Sequence, residues 1–120
     1  MFVNFSNHES GEWSKEQLEA AQEYGKIVDI RFPMVNPNSS ETEIEELAQN
    51  CVERILSFHP TVVMCQGEFT LCYAVIKKLK DNGIKCVAAC SVREANVELQ
   101  KDGSSKRVSV FKFCKFRRYE

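Results

Sequence analysis

Short apolar runs alternate with amphipathic segments along the chain, which predicts strands that are followed by helices. Residues 1–6 and residues 27–32 each suit a strand, because apolar and β-branched positions dominate both runs. Between them, Ser14 followed three positions later by Gln17 predicts a helix N-terminus, and Gly25 provides the left-handed residue that ends the helix. The start of the chain therefore predicts a strand, a helix and a second strand.

The middle of the chain repeats this pattern. Residues 40–43 form a second helix start, and the apolar positions after them recur at spacings of three and four, as on one face of a helix. The run over residues 61–65 is β-rich without alternation, as expected for a parallel strand that is covered on both faces. A turn at residues 66–67, a third helix over residues 69–81 and a buried strand over residues 84–90 complete the order βαβαβαβ.

Residues 91–120 differ from the rest, because Asp102-Gly103 separates two segments with strand character and so predicts a β-hairpin. The expected fold class is α/β, a Rossmann-like three-layer fold with a mostly parallel sheet that ends in a C-terminal hairpin. Its βα core is expected over residues 1–90 and the hairpin extension over residues 91–120. With 120 residues, the chain is expected to form one domain over residues 1–120.

Net charge and hydropathy restrict the class of partner. The formal net charge is −1, which argues against a uniformly basic surface, and we expect no duplex nucleic acid as partner. Residues 1–60 hold 11 acidic and 4 basic side chains, whereas residues 61–120 hold 6 and 12. The late basic excess lies on the predicted hairpin, where it can attract an anionic ligand or pair with the acidic helices of a partner subunit. No run approaches the ~18 apolar residues that span a bilayer, and the N-terminus does not resemble a signal peptide. We therefore expect no membrane partner and a cytoplasmic location.

The six cysteines lie mostly inside apolar runs. Because there is no CxxC pair and no histidine at zinc-finger spacing, we expect reduced, buried thiols rather than disulfides or a structural metal site. No metal and no cofactor are expected.

Polar clusters follow two of the predicted strands, and they form the candidate ligand site. In open parallel sheets, ligands bind beyond the carboxyl ends of the strands, at the point where the strand order reverses. With the common order 2-1-3-4, this point lies between the first and the third strand. Ser6, Asn7 and His8 follow the first strand, and residues 66–70 follow the third strand and begin a helix. Free amides and the positive end of the helix dipole at this helix start would suit a phosphate.

The turn after the third strand contains four candidate binding residues. Gly67 would let a ligand approach the backbone closely, and Gln66 and Thr70 would lie on either side of it. Glu68 would repel a phosphate placed directly against it, so it either holds a ribose hydroxyl or serves only as a helix-start residue.

Ser91 and Arg93 follow the fourth strand at the same edge, so Arg93 is a candidate anchor for an anion. Each candidate also has a structural interpretation, as part of a turn, as the start of a helix or as a solvated hairpin residue. Several catalytic templates are absent, because there is no GxGxxG fingerprint, no GKS or GKT phosphate loop and no GxSxG elbow. Cys65 and Cys72 are therefore interpreted as core residues rather than nucleophiles.

Residues 62–71, followed by a helix and by residues 86–91, resemble a CARF domain, the CRISPR-associated Rossmann fold that senses cyclic oligoadenylates. The resemblance includes a small polar loop after the first strand, here residues 4–8, and a turn with Gly and Thr after a buried strand, here residues 66–70. The whole chain is similar to small standalone CRISPR-associated proteins, several of which are ring nucleases that end the antiviral response. The familiar Gly-Gly-Thr-Lys form of the turn is absent, and Glu68 stands where a neutral residue is usual.

The resemblance implies a homodimer that holds a cyclic oligoadenylate, or another nucleotide, across its two-fold axis. It also implies metal-independent ring opening, in which a ribose 2′-hydroxyl attacks its own phosphate. In this chemistry His8 would act as general acid or base, and Arg93 would offset charge. The residues that would position phosphates or ribose are Ser6, Asn7, Gln66 and Thr70.

Two other classes of function remain open at this point. The first is a non-catalytic nucleotide-sensing or protein-interaction module with the same fold and the same pocket. The second is a small nucleotide or sugar-phosphate enzyme of a different Rossmann-like lineage, which predicts a monomer with a smaller pocket.

Overall fold

A computed structural model describes all residues, 1–120, and contains one five-stranded sheet with three α-helices. The strand order is β2-β1-β3-β4-β5, in which β1 to β4 are parallel and β5 pairs antiparallel with β4. This arrangement confirms an α/β fold with a mostly parallel sheet and a final hairpin, and the assumed order of the first four strands. In chain order, the elements are β1 (Phe2–Ser6), α1 (Lys15–Gln22), β2 (Ile27–Arg31), α2 (Glu41–Leu56), β3 (Val62–Cys65), α3 (Phe69–Asp81), β4 (Lys85–Leu99) and β5 (Ser105–Arg118).

The helices α1 and α2 begin where the sequence predicts, and side-chain caps explain both starts. At α2, the Ser40 hydroxyl accepts from the Glu43 amide and the Glu43 carboxylate accepts from the Ser40 amide, which is a complete capping box. At α1, only half of the box forms. The Ser14 hydroxyl accepts from the Gln17 amide, but the Gln17 side chain does not bond back to the Ser14 amide. The Gln17 side chain instead lies 3.9 Å from the Met64 sulfur.

Burial on both faces explains why the core strands do not alternate between apolar and polar residues. All five residues of β1 and all four of β3 are buried. Phe5 and Cys65 pack in the cluster that contains the buried residues of α2 and α3. Phe2 and Met64 pack in the other cluster with Ala21 of α1, so one helix covers one face of the sheet and two cover the other.

The fourth strand and the hairpin are one continuous structure, and the expectation of a separate strand over residues 84–90 is wrong. β4 runs for 15 residues and pairs with β3 only as far as Val87, after which β5 is its sole partner. We call residues 91–112, which form the projecting part of this hairpin, the ribbon. Every ribbon residue except Val108 is exposed.

A β-bulge sets the direction in which the ribbon presents its aromatic side chains. The register shifts between Cys90 and Ser91, so that Cys114 on β5 has no partner on β4. In a regular strand Phe113 and Phe116 would lie on opposite faces, because they are three positions apart. With the bulge, both face α1 and their ring centroids are 4.9 Å apart. Phe116 in turn packs on Trp13, so aromatic contacts join β5 to the segment that enters α1.

All six cysteines are free thiols in the structure, and the expectation that they are buried holds only in part. Cys65, Cys72 and Cys86 are buried, whereas Cys51 and Cys90 are half-buried and Cys114 is exposed at the bulge. None of the helices is long and apolar enough to cross a membrane.

Replacing Gly67 with alanine is expected to destabilise the fold by about 1–3 kcal/mol, the usual cost of overpacking a well-packed site. A Cβ at Gly67 would lie 2.6 Å from the ring of Phe32, which is buried and packed against Phe5. Gly11→Ala is the matched control, because a Cβ there has no atom within 4 Å. Urea denaturation of both variants measures the difference, and equal midpoints would contradict the packing argument.

Candidate functional site

A cavity of about 530 Å³ opens beyond the carboxyl ends of β1 and β3, on the face of the sheet that α1 covers. Its walls come from the loop after β1, the segment that enters α1, the turn after β3 and the base of the ribbon. The lining residues are Ser6, Asn7, His8, Glu12, Trp13, Ser14, Gln17, Met64, Gln66, Gly67, Ala89, Ser91, Phe111 and Phe113.

Six of the nine candidate site residues lie together around this cavity. They come from three different segments of the chain, and parallel strands bring those segments together because their carboxyl ends meet at one edge. The three other candidates, Glu68, Thr70 and Arg93, do not line the cavity. The six that do are Ser6, Asn7, His8, Gln66, Gly67 and Ser91.

The prediction of a phosphate site at the start of α3 is wrong, because the backbone amides there already donate hydrogen bonds to the Glu68 carboxylate. Its carboxylate accepts from the backbone N–H groups of Leu71 at 2.8 Å and Thr70 at 3.1 Å. The Thr70 hydroxyl also donates to this carboxylate, at 2.7 Å. These bonds, that from the Leu71 amide first, hold the pKa of Glu68 below its usual range. Of the two roles left open for Glu68, the structure therefore gives it the one at the helix start.

The turn residues Gln66 and Gly67 have specific structural roles. Gln66 continues the sheet past the end of β3, because its side-chain oxygen accepts from the Ala89 amide at 2.7 Å. Its side-chain NH₂ group makes no hydrogen bond within the chain and so remains available as a donor at the cavity wall. The space beside Gly67 is filled by the ring of Phe32, so packing accounts for glycine there rather than close approach of a ligand.

Arg93 lies outside the cavity because β4 continues as a strand past Cys90 and carries it outward along the ribbon. Its guanidinium donates to the Ser109 hydroxyl, with nitrogen–oxygen distances of 3.0 and 3.2 Å. Arg93 is paired with Phe111, so its side chain is on the face of the ribbon that adjoins the cavity. The prediction that Arg93 lines the site is therefore wrong, because Arg93 lies on the ribbon outside the cavity.

The loop that carries His8 is held by a buried asparagine. Asn4 is 1% exposed, and its side-chain NH₂ group donates to the Asp29 carboxylate and to the His8 carbonyl, both at 2.8 Å. The Ser6 hydroxyl donates to the Asn4 side-chain oxygen at 2.7 Å, and Ser10 donates to Asp29. The backbone of His8 is thus fixed, while its exposed imidazole makes no hydrogen bond within the chain.

Several residues of the site were not identified from the sequence. Asn4 and Asp29 had a usable signal, because each is a polar residue within an apolar strand and the two are partners in the β1–β2 register. Phe111 and Phe113 had none, because their direction depends on the bulge. The segment that enters α1 contributes Trp13, which no sequence motif connects with the site.

The lining suits a planar ligand that forms hydrogen bonds. Trp13, Phe111 and Phe113 provide aromatic surfaces, and amide and hydroxyl side chains surround them. No lysine or arginine lines the cavity, and Glu12 is its one acidic residue. No group of three or more His, Cys, Asp or Glu side chains is arranged to hold a metal ion.

Comparison with protein families gives one match. The model of the uncharacterized protein MJ1673 family matches residues 1–117, so the chain belongs to that family. Neither the curated proteins nor the solved structures contain a match.

Replacing Glu68 with alanine is expected to lower stability at neutral pH and to matter less in acid. Because the folded state lowers the pKa of Glu68, the stabilisation is present above the usual range of a glutamate and is lost as pH falls through the lowered value. The measurement is the difference in free energy of unfolding between wild type and Glu68→Ala, by urea denaturation at several pH values. Glu41→Ala, which removes an exposed first-turn acid of α2, is the control. A difference that does not shrink in acid contradicts the cap.

Proposed function

We propose that this member of the MJ1673 family is a cytoplasmic CRISPR-associated protein that binds cyclic oligoadenylates in the cavity described above. The observation that carries the proposal is the lining of three aromatic rings and neutral amide side chains at the edge of a parallel sheet. The strand order, with helices on both faces of the sheet, supports a Rossmann-like fold of the CARF type.

Nucleobase recognition accounts for the lining better than phosphate recognition does. Single-stranded nucleotides are bound by stacking their bases on aromatic side chains and by hydrogen bonds to the base edges. Adenine presents both donors and acceptors, and the amide groups of Asn7, Gln17 and Gln66 provide both. A phosphate would meet no basic side chain in the cavity and would lie toward solvent or a second subunit.

A ring of several adenylates requires more than one such cavity. A volume of about 530 Å³ is within the range of small-molecule sites, and it accommodates one nucleotide unit better than a whole ring. Two copies related by a two-fold axis would place two equivalent cavities against a symmetric ligand. The expected homodimer is therefore part of the proposal.

The ribbon is the element that would form the dimer. A two-stranded hairpin without further cover is marginally stable in water, and this one exposes Val97, Leu99 and Phe111 on the face that adjoins the cavity. The six basic side chains Lys106, Arg107, Lys112, Lys115, Arg117 and Arg118 are also exposed on β5, and they would pair with the acidic helices of a second copy.

Ring opening is the proposed reaction, with His8 as the general acid or base. The 2′-oxygen would attack the adjacent phosphorus and displace the 5′-oxygen, leaving a cyclic phosphate at one end and a 5′-hydroxyl at the other. His8 would accept the 2′ proton or donate the proton that the 5′-oxygen takes. Ser6 and Asn7 would orient the ribose, because both precede His8 on the same loop and line the cavity with it.

A nucleotide sensor without turnover is the second candidate. It is favoured by the absence of a lysine or arginine in the cavity and by the absence of a hydrogen bond that would orient the imidazole. The sensor keeps the aromatic lining and the dimer but releases the ring intact.

The fluorescence of Trp13, the one tryptophan of the chain, is expected to change when cyclic tri-, tetra- or hexa-adenylate binds. Base stacking contributes ~1–3 kcal/mol per base, so Phe111→Ala is expected to weaken binding about 5- to 150-fold. Phe69→Ala is the matched control, because Phe69 is exposed and lies outside the cavity. No response to any of the three rings would overturn the proposal.

His8→Asn separates the two candidates. A ring nuclease predicts that this variant keeps its affinity and loses about 100-fold or more in cleavage rate, the usual contribution of a general acid or base. The products are separated by chromatography after incubation without metal ions. Intact rings with the wild-type protein indicate the sensor instead.

The wild-type protein is expected to sediment as a dimer, and the double variant Val97→Glu/Leu99→Glu as a monomer, because carboxylates on the ribbon would have to lose water at the interface. Met34→Glu is the control, since Met34 is 98% exposed on the loop after β2. If the wild-type protein is monomeric at all concentrations tested, the proposed site between two subunits is contradicted.

A further inference from the structure

Two buried thiols lie in contact on the face of the sheet opposite the cavity, in the cluster under α2 and α3. Cys65 is the last residue of β3 and Cys72 is in the first turn of α3, and their sulfur atoms are 3.4 Å apart. Residues 66–71 connect them, and this loop includes Gln66 and Gly67 of the cavity wall. A disulfide requires a sulfur–sulfur distance of about 2.05 Å, so an approach of little more than an ångström would join them.

The pKa values of the two thiols shift in opposite directions, as they do in a pair of an attacking and a resolving cysteine. The contact with the Cys65 thiol lowers the pKa of Cys72. The same contact, and then burial, raises the pKa of Cys65 above its usual value. Cys72 is 8% exposed as a residue whereas Cys65 is fully buried, so Cys72 lies closer to solvent than Cys65.

We propose that Cys65 and Cys72 are an oxidation site for hydroperoxides, at which a reversible disulfide forms and closes the loop over residues 66–71. The Cys72 thiolate attacks one peroxide oxygen, the O–O bond breaks, and the released alkoxide or hydroxide takes a proton to give alcohol or water. The resulting sulfenic acid is then attacked by the Cys65 sulfur, which loses its proton. The S–S bond forms as the S–O bond breaks, and hydroxide leaves as water. Two thiols are oxidised and one peroxide is reduced, and a thiol reductant reverses the step.

The bridge would act on the cavity through the short loop that it closes. Gly67 has little room to move toward Phe32, because a Cβ built at Gly67 would lie 2.6 Å from the Phe32 ring. Where rotation of the two side chains does not close the remaining distance, the first turn of α3 or the end of β3 must shift. Either shift moves the loop that carries Gln66, which also holds the Ala89 amide. This inference does not depend on the proposed function, because the bridge forms or fails to form without any nucleotide.

The test is to expose the reduced protein to hydrogen peroxide, block the remaining thiols by alkylation, and map the peptides. Cys65 and Cys72 lie in one tryptic peptide, because no Lys or Arg stands between Arg54 and Lys77. A further cleavage after Glu68 separates the two cysteines unless a disulfide joins them. The expected result is a joined pair that has lost two hydrogens and that dithiothreitol separates again.

Variants identify the pair and control for the other thiols. Cys65→Ser and Cys72→Ala are each expected to abolish the bridge, while Cys86→Ser and Cys114→Ser leave it in place. Because the mapping is first done on the wild-type chain, the result stands even if a core variant fails to fold. A bridge to Cys86, sulfinic or sulfonic acid on Cys72 without a bridge, or both thiols alkylated when Cys114 is oxidised would each overturn the proposal.

Discussion

The arrangement of the cavity depends on the hydrogen bonds of Asn4. β1 lies between two helical layers, so a polar side chain within it has no water to bind and must find partners in the protein. Asn4 finds them in Asp29 on the neighbouring strand and in the loop after β1. The same bonds that satisfy a buried amide therefore fix the loop of His8 relative to β2, and no buried polar side-chain atom is left without a partner.

The cavity owes its neutral character to a second contact, which lies just outside it. Glu68 takes up the first amides of α3, so the positive end of this helix is neutralised by the chain itself. Arg93 is turned to Ser109 on the ribbon. Since neither a free helix end nor a basic side chain reaches the cavity, its lining offers aromatic surfaces and neutral hydrogen-bonding groups, while the basic side chains of β5 are exposed elsewhere.

The features that the sequence predicts are those encoded by nearby residues. Ser40 and Glu43 are three positions apart, and their reciprocal bonds are read directly from that spacing. Ser6 and Gln66 follow apolar runs, and parallel pairing brings such residues to one edge of the sheet. The sequence allows two roles for Glu68, because the choice depends on the distance from its carboxylate to the Leu71 amide. The place of Arg93 was missed for a different reason, since β-propensity does not tell whether a strand ends at the core or continues beyond it.

The bulge at Cys114 determines which side chains of β5 point to each face of the sheet. In a regular strand, odd and even positions point to opposite faces. The extra residue at the bulge reverses this relation for the residues of β5 on the ribbon side of Cys114. Phe111 and Phe113 belong to the cavity side only with this reversal, although nothing in their own chemistry differs with or without it. A relative without the extra residue would pair β5 regularly with β4 and keep both aromatic residues on the cavity side, whereas one of the same length without the bulge would present them to the other face. Similarity of composition along β5 is therefore a poor guide to a shared site.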